Sequence, residues 1–302
     1  MNPVSGPGRA AASPAWPGDS GPTALRIALG GTLRQLREEV GISREVAGST
    51  IRASVAKMSR LELGRVGFKL RDVTDLLTLY RVVDPARREE LLELARQANK
   101  RGWWHRYSDL LDASFQTYLG LEQAAPVIRT FELQFVPGLL QTPDYARAVT
   151  RLAYTSVQEV ERRVELRLQR QRLLSTDHKD PPTRLWAVVD ESVLRRWVGS
   201  DVRVLRAQLD HLLAMSELPN VALQVVPLRH GGHAAAGGSF KVLRFADQAL
   251  PDVVAIEHLH SAVYLDKPAE VDNYTFVMSE LVASVDPPGR TPHIIKQIRD
   301  EI

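Results

Sequence analysis

The chain has 302 residues, of which 44% are hydrophobic and 25% charged, and its formal net charge is +3 at pH 7. This composition is ordinary for a globular protein, and the length predicts about two domains. No apolar run approaches the length that crosses a bilayer, so we expect no membrane association. The absence of cysteine excludes disulfides, thiolate catalysis and cysteine-ligated metal sites. It is compatible with the cytoplasm, where we expect the protein to act.

The N-terminal hundred residues divide into a leader and a helical domain. Residues 1–23 are rich in Pro, Gly, Ala and Ser and lack the apolar core of a secretory signal, so we expect a disordered leader. Apolar spacing and capping residues then predict five short helices within residues 24–100. They are expected over residues 25–39, 43–49 and 54–64, around 73–80, and over 85–99. Five short helices in so few residues are the plan of a helix-turn-helix domain.

The third predicted helix, residues 54–64, carries the most information. Val55, Met58 and Leu61 recur every third residue and are expected to face a core, as are Val46 and Ala47 of the preceding helix. The remaining positions mix small residues with long cations, which lets a helix enter a major groove while Lys and Arg reach phosphates and base edges. The segment is typical of a recognition helix.

Local charge favours the same interpretation. Residues 25–71 contain ten cationic and four anionic side chains, an excess of six that exceeds the net charge of the whole chain. A positive field concentrated there fits a phosphate backbone, although a solvated basic face has the same composition. The predicted DNA contacts are Ser43, Arg44, Arg52, Ser54, Ala56, Lys57, Ser59 and Arg60. For Arg60, an ion pair inside the bundle is the alternative.

Residues 101–302 are predicted to form a second, mixed α/β domain, which makes the whole chain α+β. Residues 101–107 cluster aromatics and are expected to form a packed hinge, with a single-strand stacking platform as the alternative. Residues 111–152 are predicted to be mainly helical. A sheet of about five strands is expected over 185–189, 221–226, 239–245, 253–256 and 262–265. Further helices are expected over 157–174, 191–197, 202–216 and 268–285, with a short one after 288.

Three features of the second domain bear on whether it contacts DNA, binds a ligand or metal, or catalyses a reaction. Five arginines at 162, 163, 167, 170 and 172 interleave with glutamates, which favours a solvated or partner-facing helix over DNA contact. The glycine-rich loop at 230–238 contains His230 and His233, with Glu257, His258 and His260 nearby in sequence. A flexible hairpin is the first interpretation, and a ligand-contact loop or a metal site are alternatives. Asp190 and Glu191 are expected to cap a helix rather than to act as acid and base.

We therefore predict no enzyme activity, no cofactor and no metal. The sequence contains no phosphate-binding loop, nucleophile elbow or dinucleotide fingerprint. Asp190, Glu191, His230 and His233 would support an enzyme only if the fold gathered them around one pocket.

Several runs along the chain resemble a known family. They are Leu33–Arg37, Lys57–Arg65, Arg71–Val73, Leu76–Tyr80, Gly102–Trp104, Tyr118–Glu122, Phe135–Thr142, Arg167–Gln171, Leu218–Val221 and Tyr264–Asp266. On these residues the chain resembles XRE-family helix-turn-helix regulators of actinobacterial type with a C-terminal domain of unknown function, the WhiJ-like regulators. One departure is Arg44, which stands where many XRE domains have Gln; another is the longer turn at 50–53.

The resemblance implies a transcriptional regulator whose second domain binds a small companion protein in an antitoxin-like arrangement. A homodimer on double-stranded DNA is expected, because one recognition helix reads few base pairs. The alternative is a one-component regulator whose second domain senses a small molecule.

Overall fold

A computed structural model describes residues 21–199, 201–235, 237–245, 251–258 and 262–302. Five helices form the N-terminal bundle: α1 (Pro22–Glu39), α2 (Arg44–Thr50), α3 (Val55–Glu62), α4 (Leu70–Leu79) and α5 (Pro85–Ala98). Most of the predicted leader lies outside the described residues, whereas Thr23 at its end already belongs to α1 and is buried. The five predicted helices are thus present, and each begins and ends close to the expected residues.

Two valines of the bundle are exposed, contrary to the prediction. Val46 is 50% exposed and Val55 43% exposed, whereas Ala47, Met58 and Leu61 are buried as predicted. The core contacts of α2 go through Ala47, Gly48 and the following Ile51. α3 enters the core only from Met58 onward. Both valines therefore lie on parts of the helices that project beyond the apolar core.

In the described parts of the second domain, helices alternate with six strands. In chain order these are α6 (Ala113–Ala124), β1 (Val127–Glu132), α7 (Pro143–Arg151), α8 (Val157–Gln171), β2 (Arg184–Asp190), α9 (Glu191–Arg195), α10 (Val202–Met215), β3 (Val221–Val226), β4 (Phe240–Arg244), β5 (Val253–Glu257), β6 (Ala262–Leu265), α11 (Pro268–Ser284) and α12 (Thr291–Glu301). The strand order is β3-β2-β1-β4-β5-β6. β1, β2 and β3 pair in parallel, and the β1–β4, β4–β5 and β5–β6 pairs are antiparallel.

The prediction that residues 111–152 are mainly helical is wrong at β1, which occupies the middle of the sheet. Ile128 pairs with Leu185 on one side and Leu243 on the other, and all three belong to the larger apolar core. Arg129 and Thr130 interrupt the apolar pattern of β1, which hides a central strand between two helical segments. Arg129 is accommodated because its guanidinium stacks over Trp186, 5.3 Å from the ring centroid.

Helices cover both faces of the sheet. The larger core includes α6, α10 and α12 on one face, while α11 covers the other through Val271, Met278 and Leu281. The packed-hinge interpretation of residues 101–107 agrees with the structure, since Trp104 and Tyr107 are buried in the larger core. Within the described residues, no helix is long and apolar enough to cross a membrane.

The arginine-rich helix α8 buries Val160, Val164 and Leu166, whereas Val157 at its start is 67% exposed. Arg170 is not solvated: its guanidinium forms a two-pronged ion pair with Glu122 of α6 at 2.8 Å for both contacts. Both side chains are almost fully buried, so part of the predicted solvent-facing arginine set is a structural link between α8 and α6.

Candidate nucleic-acid interface

The second and third helices are each fixed at their first turn by a serine cap. The Ser43 hydroxyl accepts from the Val46 amide at 3.4 Å, and the Ser54 hydroxyl accepts from the Lys57 amide at 3.2 Å. Between them the chain turns through Arg52, which has a left-handed φ of 55°. The Ala53 amide closes the turn by donating to the Gly48 carbonyl at 2.8 Å. These local bonds fix the angle at which α3 leaves α2.

A glycine lets α1 and α3 approach closely. A Cβ atom at Gly30 would lie 2.5 Å from the Leu61 carbonyl oxygen and 2.6 Å from that of Glu62. Those distances are below any real van der Waals contact, so a side chain there would separate the helices. The missing Cβ of Gly30 therefore positions the buried side of α3 against the bundle.

A buried carboxylate joins the first three helices. Glu62, at the end of α3, accepts from Arg37 Nη2 of α1 at 3.2 Å and from Arg44 Nε of α2 at 2.7 Å. The Glu62 side chain is 1% exposed and that of Arg37 is 8% exposed. The hydrogen bond to Glu62 raises the pKa of Arg37, so the Arg37 guanidinium stays protonated. Arg37 also donates to the Ile42 carbonyl at 2.8 Å, which extends the link to the start of α2.

Sequence reasoning missed this cluster. Glu62 lies four residues after Met58 and so shares the core-facing side of α3. A carboxylate on an apolar stripe, with Arg37 in the last turn of the preceding amphipathic helix, is the signal that predicts a buried pair. Charge counting alone treats Arg37 as part of the basic field, although its charge is neutralised within the fold.

The predicted contact residues of the α2–α3 unit differ in how exposed they are. The exposed members are Ser43, Arg52, Ser54, Ala56 and Arg60, and the half-buried ones are Arg44, Lys57 and Ser59. The Arg44 guanidinium is anchored on Glu62, as described above. Lys57 Nζ lies 4.0 Å from Asp72 Oδ2 of α4. Within the described part of the chain Arg60 has no carboxylate in ion-pairing range, so the alternative of an internal pair for Arg60 finds no support.

Two family models match the chain. A helix-turn-helix domain model matches residues 28–91, the segment from α1 to α5 that contains the capped α2–α3 unit. A model described as a domain of unknown function, DUF5753, matches residues 115–297, which is more than half of the chain.

The chain belongs to the DUF5753 family.

No curated protein and no solved structure matches it. The helix-turn-helix match and the geometry of α3 together support a DNA-binding regulator. The narrower assignment to XRE-family, WhiJ-like regulators stays a prediction.

The DUF5753 region carries the remaining sequence-predicted site residues. Asp190 caps α9 by accepting from the Ser192 amide at 2.9 Å, and Glu191 pairs with Arg195 Nε at 2.6 Å and accepts from the Leu228 amide at 2.9 Å. The capping interpretation of Asp190 is therefore confirmed, and Glu191 has structural partners.

The two loop histidines have different surroundings. His230 borders an open cavity of about 360 Å³, whereas the His233 ring packs edge-on against Phe131 at 5.2 Å between centroids. His260 lies outside the described residues. Among the residues that are described, no group of three metal-ligating side chains is positioned to hold an ion.

Proposed function

We propose that the chain is a sequence-specific transcriptional regulator that binds double-stranded DNA as a homodimer and reads bases with α3. The observation that carries this proposal is the exposed face of α3, which presents small residues beside Arg60 while Met58 and Leu61 anchor its other face. A helix with this division of faces fits a major groove.

The predicted contacts take different roles in this proposal. Arg60 is exposed and reads a base edge, because Arg offers two parallel donors to guanine. Ala56, one turn earlier and also exposed, lets the helix backbone approach the groove floor. Lys57 and Arg52 reach phosphates, and Arg44 adds a positive charge at a position that Glu62 holds fixed.

Ser43, Ser54 and Ser59 complete the proposed contact set. The Ser54 hydroxyl accepts from the Lys57 amide and retains its proton to donate to a phosphate oxygen, whereas the Ser43 hydroxyl also hydrogen-bonds the Glu45 carboxylate and would exchange that partner for a phosphate oxygen. Ser59 is half-buried on α3 between Ala56 and Arg60. Two copies of such a unit are needed because a single recognition helix covers too few base pairs for a unique operator.

The second domain is proposed to bind a small companion protein, which would give antitoxin-like control. Exposed apolar surface supports a protein contact there: Phe276 on α11 is 64% exposed and Val263 on the terminal strand β6 is 40% exposed. A protein strand that added to β6 would satisfy its outer backbone groups.

A small-molecule sensor is the second candidate function. It is favoured by the glycine-rich loop, because Ala234, Gly237 and Gly238 border a cavity of about 240 Å³ together with Tyr274 and Val277. A ligand in that cavity would contact both the loop and α11. A rise in melting temperature with a small molecule, in the absence of any protein companion, would favour this candidate.

The test starts from tagged full-length protein purified from its native host. Bound DNA is sequenced and co-purifying proteins are identified by mass spectrometry. A shared palindromic site together with one small protein at equal stoichiometry is expected, and Phe276→Ser should lose the protein while keeping the DNA. Recovery of random genomic fragments would contradict sequence-specific binding. Recovery of the palindrome with no small protein would contradict the companion and favour the sensor.

A further inference from the structure

A third cavity, larger than the two described above, lies between the domain junction, α7 and α8. Its volume is about 530 Å³, within the range of small-molecule sites. Apolar side chains form most of its wall, among them Leu110, Phe115, Phe135, Val149 and Leu152. The wall also contains three cationic side chains of α8.

The three cations lie on one face of α8, since Arg163, Arg167 and Arg170 are spaced by four and three residues. Arg163 is neutralised by Glu159 at 2.8 Å, and its guanidinium stacks 3.8 Å above the Tyr154 ring. Arg170 is neutralised by Glu122, as described above. Two of the three cavity arginines are therefore already paired with carboxylates.

Arg167 differs from its neighbours. Its Nη1 donates to the neutral amide oxygen of Gln141 at 2.7 Å. Within the described ranges, no carboxylate lies within ion-pairing distance of its guanidinium, and Nε and Nη2 have no acceptor. Burial lowers the pKa of Arg167 to about 10, so the group is still charged at neutral pH. The Glu257 carboxylate attracts Arg167 electrostatically without lying within ion-pairing distance, so an anion in the cavity would supply the direct partner that this partly desolvated cation lacks.

The remaining polar groups of the wall do not supply that anion. The Asp112 carboxylate caps α6 by accepting from the Phe115 amide at 2.7 Å. Thr150 donates to the Ala146 carbonyl at 2.7 Å. Gln134 is neutral. The cavity thus combines an apolar wall with one cation free to pair.

We propose that this cavity binds an apolar monocarboxylate, with Arg167 pairing to the carboxylate and the aromatic and aliphatic wall enclosing the rest of the ligand. A guanidinium with two free donors matches a carboxylate in a two-pronged geometry. Only the effect of such a ligand on DNA binding rests on the proposed small-molecule sensor function. Ligand binding itself is measured without DNA.

The experiment uses isothermal titration calorimetry on the full chain with three acids: indole-3-acetate, 4-phenylbutyrate and decanoate. Each acid is compared with its neutral amide, which keeps the shape and removes the charge. At least one acid is expected to bind. Its amide should bind at least about tenfold more weakly, because the amide cannot form the charge-assisted hydrogen bond. This comparison needs no mutation.

Two variants locate the site. Arg167→Gln should weaken the acid about tenfold or more and leave the amide unchanged. Arg206→Gln, which removes an exposed arginine of α10, should change neither. Binding of none of the three acids, equal binding of acid and amide, or unchanged acid binding in Arg167→Gln would overturn the proposal. Operator affinity measured with and without the bound acid then tests the regulatory consequence separately.

Discussion

Replacing Glu62 with Gln should destabilise the DNA-binding bundle selectively. Glu62 is the shared acceptor of Arg37 and Arg44, and Arg37 is too buried to recover its hydration when the carboxylate charge is removed. Breaking one partner of a buried pair costs about 3–5 kcal/mol. A domain of this size has a total stability of roughly 4–11 kcal/mol, so the loss would be a large fraction of it.

Hydrogen exchange under increasing urea measures this loss where it occurs. Amides of α1, α2 and α3 should lose protection at lower urea in Glu62→Gln. Tryptophan fluorescence should keep its midpoint, because four of the five tryptophans, Trp103, Trp104, Trp186 and Trp197, lie in the second domain. Glu39→Gln is the matched control, because it removes one negative charge from an exposed side chain of α1.

A double variant separates charge burial from packing. Arg37→Met combined with Glu62→Leu removes both buried charges and should recover much of the stability that Glu62→Gln loses. A neutral surface change usually alters stability by no more than about 0.5 kcal/mol. If the amides of α3 in Glu62→Gln keep their protection within that range of the unmodified protein, the reasoning that Glu62 holds the three helices together is refuted.

Three further predictions concern packing, pH and salt. Gly30→Ala should lower the free energy of unfolding by about 1–3 kcal/mol, because the added Cβ overpacks against Leu61. Gly289→Ala, where a Cβ meets open space, should lower it little. Equal urea midpoints of the two variants would contradict the close approach of α1 and α3. Burial lowers the pKa of His211 below 6.5, so the unfolded state binds a proton at His211 before the folded state does as the pH falls, and stability should decline below pH 6.5. In thermal unfolding, His211→Gln should flatten that decline. Parallel curves of melting temperature against pH for the variant and the unmodified protein would exclude the effect. Lys57→Ala should reduce the slope of log K against log salt for DNA binding by about 1, and an unchanged slope would remove Lys57 from the phosphate contacts.

Local signals predicted most helices and strands well. Capping serines, Gly41 and the Asp84–Pro85 pair mark helix ends because these residues satisfy or terminate backbone hydrogen bonding within a few positions. The strand 221–226 matches β3 residue for residue, since a run that is apolar except for Gln224 and is bounded by Pro227 has few alternatives. These features depend on neighbours in sequence.

The features that were not predicted from the sequence depend on residues that are far apart along the chain. β1 is a strand because β2 and β4 flank it, and Arg129 is tolerated there because Trp186 of the adjacent strand lies beneath it. Glu62 and Arg170 look like surface charges in the sequence, but each is buried against a partner 25 or 48 residues away. The exposed face of α3 was predictable from its pattern, whereas the anchoring of Arg44 on Glu62 was not.

Operator affinity of Arg60→Ala tests the central claim most directly. Once the bound DNA has been sequenced, fluorescence anisotropy at fixed salt compares the unmodified protein, Arg60→Ala and Arg206→Ala on the operator and on a scrambled duplex. The account predicts that Arg60→Ala loses about 1–3 kcal/mol, or roughly 5- to 150-fold, on the operator and much less on the scrambled duplex, while Arg206→Ala binds as the unmodified protein does. Unchanged operator affinity in Arg60→Ala would contradict base reading by α3.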